Sequence, residues 1–111
     1  MKGITFTARM IDAILAGAKT ETRRVSLGDR RVGERLWIKR GRFGRRVDSP
    51  CEIEITGIVK MPLRAIGYNG ALLEGFAGEE DFRKYWDKLH KPPLQWNDNP
   101  DVFVVMFRRI K

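Results

Sequence analysis

Six consecutive apolar residues late in the chain, Val102-Phe103-Val104-Val105-Met106-Phe107, restrict the fold more than any other feature. Successive strand side chains point to opposite faces, so a strand of this composition must be covered on both sides. A chain of 111 residues has room for one core and not for two. Such a strand therefore belongs in the middle of a single domain spanning residues 1–111. Other segments read as its neighbours. Ile4-Thr5-Phe6-Thr7 alternates as a short strand. Thr20 to Val25 is β-prone but polar, which suits an exposed or site-lining strand. Leu36-Trp37-Ile38 is a strand between basic residues. Cys51, Ile53 and Ile55 alternate with Glu52, Glu54 and Thr56, a half-buried strand that can continue to Val59.

Two helices are expected. The first covers residues 8–16, with Thr7 as N-cap, Ile11, Ile14 and Leu15 on one face, and Gly17 as a left-handed stop. The second covers residues 79–89. Glu79, Glu80 and Asp81 occupy its first turn and Lys88, His90 and Lys91 its end, matching the helix dipole. Phe82, Tyr85, Trp86 and Leu89 make its apolar face, and Pro92-Pro93 ends it. Residues 41–50 hold two Gly, three Arg and a Pro, a mobile connection whose arginines can close over a ligand. Met61-Pro62-Leu63 reads as a break before a turn or short helix reaching Tyr68. Strands do not alternate regularly with helices, so a doubly wound parallel sheet is disfavoured. The expectation is an α+β domain: a small, strongly bent or closed sheet of five to six strands with two main helices over its openings.

Charge narrows the partner. Lys and Arg number 22 against 14 Asp and Glu, a net +8. Between Lys19 and Arg46 there are eleven basic residues and three acidic ones, so that segment carries the whole excess. A one-sided field of this kind concentrates polyanions, and a phosphate-bearing partner is favoured over a plain solubility surface. Cys51 is the only cysteine and His90 the only histidine, which argues against an internal disulfide and a structural metal. No apolar run approaches a membrane span, and the first residues lack a signal-peptide core, so a cytoplasmic protein without membrane contact is expected. Oligomeric state is not legible.

The segment Ile14-Leu15-Ala16-Gly17-Ala18-Lys19-Thr20-Glu21-Thr22-Arg23-Arg24 resembles the signature of the ASCH domain family. Val32 to Ile38 resembles the turn and strand that follow it. Glu74-Gly75-Phe76 resembles the acidic segment ahead of the long helix. Phe82 to Trp86, Trp96-Asn97-Asp98-Asn99-Pro100 and the closing strand are similar to the bacterial and phage-associated branch. The resemblance implies a PUA-like β-barrel and a site for RNA or a modified nucleoside, with no cofactor. More distantly it implies the N4-acetylcytidine amidohydrolases, whose Lys, Thr and Glu would fall on Lys19, Thr22 and Glu74. Other members act as ribonucleases or as RNA-binding modules. The longer basic region and the tryptophan motif are departures from the small amidohydrolases.

Removing an acyl group from an exocyclic amine needs a nucleophile, a proton acceptor and a holder for the oxyanion. On this reading Thr22 attacks, Lys19 takes its proton, and Glu74 orients or relays. Lys19 can be a base only if burial or the neighbouring Arg23 and Arg24 depress its pKa. The alternative keeps Lys19 charged as a clamp while Glu74 activates water. Lys19 and Thr22 are an odd number apart, so they converge only if Lys19 belongs to the turn after Gly17 or a bulge intervenes. Against this stands a solvated face of Lys19, Glu21 and Arg23, with Glu74 a loop carboxylate paired to an arginine.

Arg23 and Arg24 can each hold a phosphate, or can pair internally with Glu21 or a C-terminal carbonyl. Lys39, Arg40 and Arg42 can carry backbone phosphates or be solvated loop charges. Trp37 and Phe43, lying among cations, suit stacking on unpaired bases, although Trp37 can lie on either face of its strand. Trp86 is expected in the core, Trp96 closing the barrel, His90 as a helix-end cation and Cys51 as a small core residue. Three functions stay open: an amidohydrolase, an RNA-binding module without catalysis, and a metal-independent ribonuclease.

Overall fold

A computed structural model of the chain describes residues 1–110. The strands are β1 (Lys2–Phe6), β2 (Glu21–Arg24), β3 (Arg35–Arg40), β4 (Glu52–Pro62) and β5 (Asp101–Arg109). The helices are α1 (Ala8–Leu15), α2 (Gly67–Leu73) and α3 (Glu79–Leu89), with short 3-10 turns at Arg46–Asp48, Leu63–Ala65 and Trp96–Asp98. The strands form one sheet in the order β1-β3-β4-β5-β2. Only the β1–β3 pair is parallel; the other three pairs are antiparallel.

The α+β class holds, and β5 is an interior strand with β4 on one side and β2 on the other. Val104 and Val105 are consecutive and both buried, so both faces of β5 are covered there. On one face Ile4, Leu36, Ile38, Ile53, Ile55 and Val105 join Met10, Ile11 and Ile14 of α1 and Phe82 and Trp86 of α3 in a single core. Ala71 of α2 joins the same core, and α2 lies against Arg23: a Cβ added to Gly70 would stand 2.9 Å from its Nη2.

Three expectations change. The strand pairings do not close into a ring, so the sheet is open, with β1 and β2 as its edges. The two edges are bridged by a side chain, Arg24 Nη2 donating to Thr5 O at 2.7 Å. Met61-Pro62 is not a break. β4 runs through Pro62, opposite Asp101, with a register shift between Ile55 and Gly57. Thr7 is the N-cap residue of α1 by backbone, but its hydroxyl makes no cap bond and instead meets the Tyr85 hydroxyl.

Candidate functional site

After α1 the chain reverses at Gly17, whose φ of 79° is a left-handed value that glycine adopts without steric cost. The amides of Ala18 and Lys19 both donate to Ala13 O, at 2.9 and 3.1 Å, so Lys19 belongs to the turn. β2 begins only at Glu21. The odd spacing of Lys19 and Thr22 therefore does not separate them, and both line one cleft of about 220 Å³. Glu74 reaches the same cleft from the C-cap of α2. Thr20 N–H donates to Leu73 O at 2.9 Å, which ties the turn directly to the end of that helix.

Lys19, Thr22, Arg23 and Glu74 are buried polar residues, each less than a tenth exposed. Lys19 Nζ donates to Glu74 Oε1 at 2.6 Å, to Glu21 O at 2.8 Å and to Glu74 O at 3.0 Å. Three acceptors match the three N–H bonds of an ammonium. Burial nevertheless pulls the Lys19 pKa below its ordinary 10.5; Glu74 opposes that shift, and Arg24 and Arg23 add to it. Arg23 Nη1 donates to Glu21 Oε1 at 3.2 Å and Glu74 Oε2 at 3.3 Å, while Arg23 Nε is buried with no partner. Arg24 Nε donates to the Thr22 hydroxyl at 3.1 Å, and its guanidinium lies 4.8 Å from the centre of the Phe6 ring. Burial, aided by Arg30, lowers the Arg24 pKa to about 10, which leaves it charged at neutral pH.

The solvated face of Lys19, Glu21 and Arg23 is thus not what forms. The internal pairing of Arg23 with Glu21 does form, and Arg24 binds a carbonyl of β1 rather than one near the C-terminus. The cleft also contains residues that sequence reasoning assigned to the core or a cap. Tyr85 and Trp86 line it from α3, as does His90, whose ring stacks on Trp86 at 3.8 Å with Nδ1 3.0 Å from Trp86 O. Phe6, Met10 and Phe76 supply the apolar wall. Tyr85 was the readable exception: a phenol on an apolar helix face brings a hydroxyl that needs a partner.

The remaining candidates lie elsewhere. In β3, Leu36 and Ile38 face the core, so Trp37 and Lys39 occupy the opposite, outer face. Arg40 ends the strand with its Nε donating to Asp48 O at 3.3 Å, and Arg42 stands 5.4 Å over the exposed Phe43 ring. None of Trp37, Lys39, Arg40 or Arg42 lines the cleft. Cys51 is buried, and burial raises its thiol pKa. Trp96 packs against the core at the end of α3, 6.4 Å from Phe82. Among the described residues there is no cluster of His, Cys, Asp and Glu able to hold a metal, and no helix long and apolar enough to cross a membrane.

No protein-family model matches the chain, and no curated protein does. Solved structures do match. An ASCH domain from Lactobacillus crispatus superposes with a TM-score of 0.69 at 18% identity, over 90% of this chain and 69% of that one. ASCH from Zymomonas mobilis gives 0.65 at 17% identity, over 97% and 68%. A protein from Enterococcus faecalis gives 0.65 at 21% identity, over 92% and 67%. At these identities the likeness is one of architecture, and it is unambiguous: the chain has the ASCH-domain fold.

Proposed function

We propose that the cleft takes a cytidine-type nucleoside, free or within RNA, that carries an acyl group on its exocyclic amine, and hydrolyses that amide. The observation that carries this reading is the burial of Lys19, Thr22 and Glu74 together in a cleft with one apolar wall. A base and its acyl group suit such a wall, and a buried lysine of lowered pKa in the same cleft as a hydroxyl is a combination that acyl transfer uses. Similarity in fold to ASCH domains supports RNA or a related molecule as the ligand class.

In the proposed reaction the Lys19 ammonium first passes a proton to Glu74 Oε1, 2.6 Å away, which leaves an amine lone pair. Thr22 Oγ attacks the acyl carbonyl and Lys19 takes the hydroxyl proton. The C–N bond then breaks, that proton goes to the departing exocyclic nitrogen, and the acyl group is left as an ester on Thr22. Water hydrolyses the ester, releasing a carboxylate and restoring the hydroxyl. Arg23 Nε, a buried donor without a partner, supplies a hydrogen bond for the carbonyl oxygen as it becomes anionic. The three acceptors around Nζ favour a second route, in which Lys19 stays charged and Glu74 activates water. A third reading, RNA binding without catalysis, is favoured by the eleven basic residues against three acidic ones between Lys19 and Arg46.

Incubating the protein with N4-acetylcytidine and following cytidine by chromatography tests the proposal. Turnover should vanish in Thr22→Ala and Lys19→Ala and partly return in Thr22→Ser. A wild type that releases no cytidine sinks the amidohydrolase for this substrate.

A further inference from the structure

The outer face of the sheet holds a second hollow that the cleft does not use. Trp37 pairs with Gly3 across the parallel β1–β3 ladder. A Cβ added to Gly3 would stand 2.7 Å from Trp37 Cε2 and 2.8 Å from Cζ2, so the indole lies across the glycine. Only the absence of a side chain on β1 lets the ring lie so close to the sheet. Trp37 stays part-exposed, and beside it opens a hollow of about 200 Å³ walled by Arg46, Ser49, Pro50 and Glu52 over the buried Cys51.

The polar groups of this hollow have defined characters. Glu52 is the cross-strand partner of Trp37, and its carboxylate makes no ion pair among the described residues. Ser49 Oγ is already committed to Cys51 O at 2.9 Å. Arg46 is exposed and meets no carboxylate; its contact is with Met1 Sδ at 3.9 Å. Lys39 lies two residues beyond Trp37 on the same face. A flat π surface, one unpaired acceptor, one cation in the lining and a second on the same face of β3 match the parts of a nucleotide: base face, exocyclic amine and phosphates.

We propose that this hollow holds an unpaired base of single-stranded RNA. The base stacks on Trp37, its exocyclic amino group donates to Glu52, and the flanking phosphates lie against Arg46 and Lys39. The inference rests on the nucleic-acid reading above for its ligand class and extends it from one nucleotide to a strand. A carboxylate acceptor selects bases that carry an amino group, so adenine is preferred over uracil.

The test is fluorescence anisotropy with labelled oligoadenosine and oligouridine of about ten nucleotides. Wild type should bind the adenosine strand more tightly. Trp37→Leu should weaken binding to that strand roughly tenfold, and Trp37→Phe should weaken it less. Glu52→Val should abolish the preference for adenosine while retaining binding. Equal affinity of wild type for the two strands, or Trp37→Leu binding like wild type, overturns the proposal. If circular dichroism shows Trp37→Leu unfolded, Arg46→Glu on the exposed turn is read instead, and unchanged binding overturns the proposal equally. Wild-type turnover of N4-acetylcytidine, run on the same preparation, separates the two readings. Turnover without RNA binding removes the outer site and leaves the cleft. Tryptophan-dependent RNA binding without turnover does the reverse.

Discussion

Lys19 and Glu74 stand 55 residues apart in sequence and 2.6 Å apart in space, and both are nearly inaccessible. Removing one member of a buried pair strands the other charge, which typically costs about 3 kcal/mol. Lys19→Met should therefore lower the melting temperature by several degrees, because Arg23 alone then faces Glu74. Replacing both, as Lys19→Met with Glu74→Leu, should recover much of that loss in thermal denaturation. A double variant less stable than either single one would contradict this view of the pair. The lysine also sets a pH signature. Because its folded pKa lies below 10.5, the unfolded chain holds more protons between the lowered value and 10.5, and unfolding free energy contributed by this group rises with pH across that window. Turnover that depends on neutral Lys19 rises with pH up to the lowered value and levels off above it, before 10.5. Turnover that depends on its charge falls there. A pH–rate profile for N4-acetylcytidine decides between the two routes. Lys19, Thr22 and Glu74 all entered through the family resemblance, the first two within its contiguous Gly17–Arg24 signature. Glu74 lies in a separate segment, and no local spacing registers a contact made through the Thr20–Leu73 hydrogen bond across two elements.

Elements with strong local signals were the ones read correctly. α3 runs over Glu79–Leu89 because acidic residues fill its first turn, its apolar face repeats with helical period, and two prolines follow. α2 was reduced to a turn or short helix because Gly67-Tyr68-Asn69-Gly70 is poor helix material, and its stability comes from tertiary burial of Ala71. The end of β4 was misplaced for a related reason: Pro62 suggests a break, yet it lies beyond the residues of β4 that pair with β3, where β4 is an edge and proline is tolerated. α3 also carries its own test. Asp81 Oδ2 accepts from Ala77 N–H at 3.2 Å and from Arg9 Nη2 at 2.7 Å, and the Ala77 bond foremost holds its carboxyl below the ordinary 3.8. Asp81→Ala should cost about 1 kcal/mol at neutral pH. The wild-type advantage should shrink as pH falls from 3.8 through the lowered value, where the native carboxylate is protonated. Urea denaturation of both proteins at neutral and acidic pH reads the difference, and a constant gap would refute the assignment.

At the scale of the whole molecule the basic segment is split between two surfaces. Arg23 and Arg24 line the cleft, whereas Trp37 and Lys39 face outward across the sheet. The sequence showed the charge but not its division, because an alternation places Trp37 on one face or the other only once the burial of Leu36 and Ile38 is known. If a strand of RNA contacts both surfaces, log affinity should fall steeply with log salt as counterions are released, while binding of a nucleoside should hardly change. Equal slopes for the two ligands would confine the ligand to the cleft.

The open sheet has a last consequence for that cleft. β1 and β2 both line it yet share no ladder, and the guanidinium of Arg24 is the latch between them, gripping Thr5 O on one side and the Thr22 hydroxyl on its own. A closed ring of strands could admit a ligand only by tearing a row of backbone hydrogen bonds. Here the contacts of Arg24 with β1 are one charge-assisted bond to Thr5 O and a ring contact with Phe6, neither of them part of a strand pairing, so a change at this rim need not disturb the sheet.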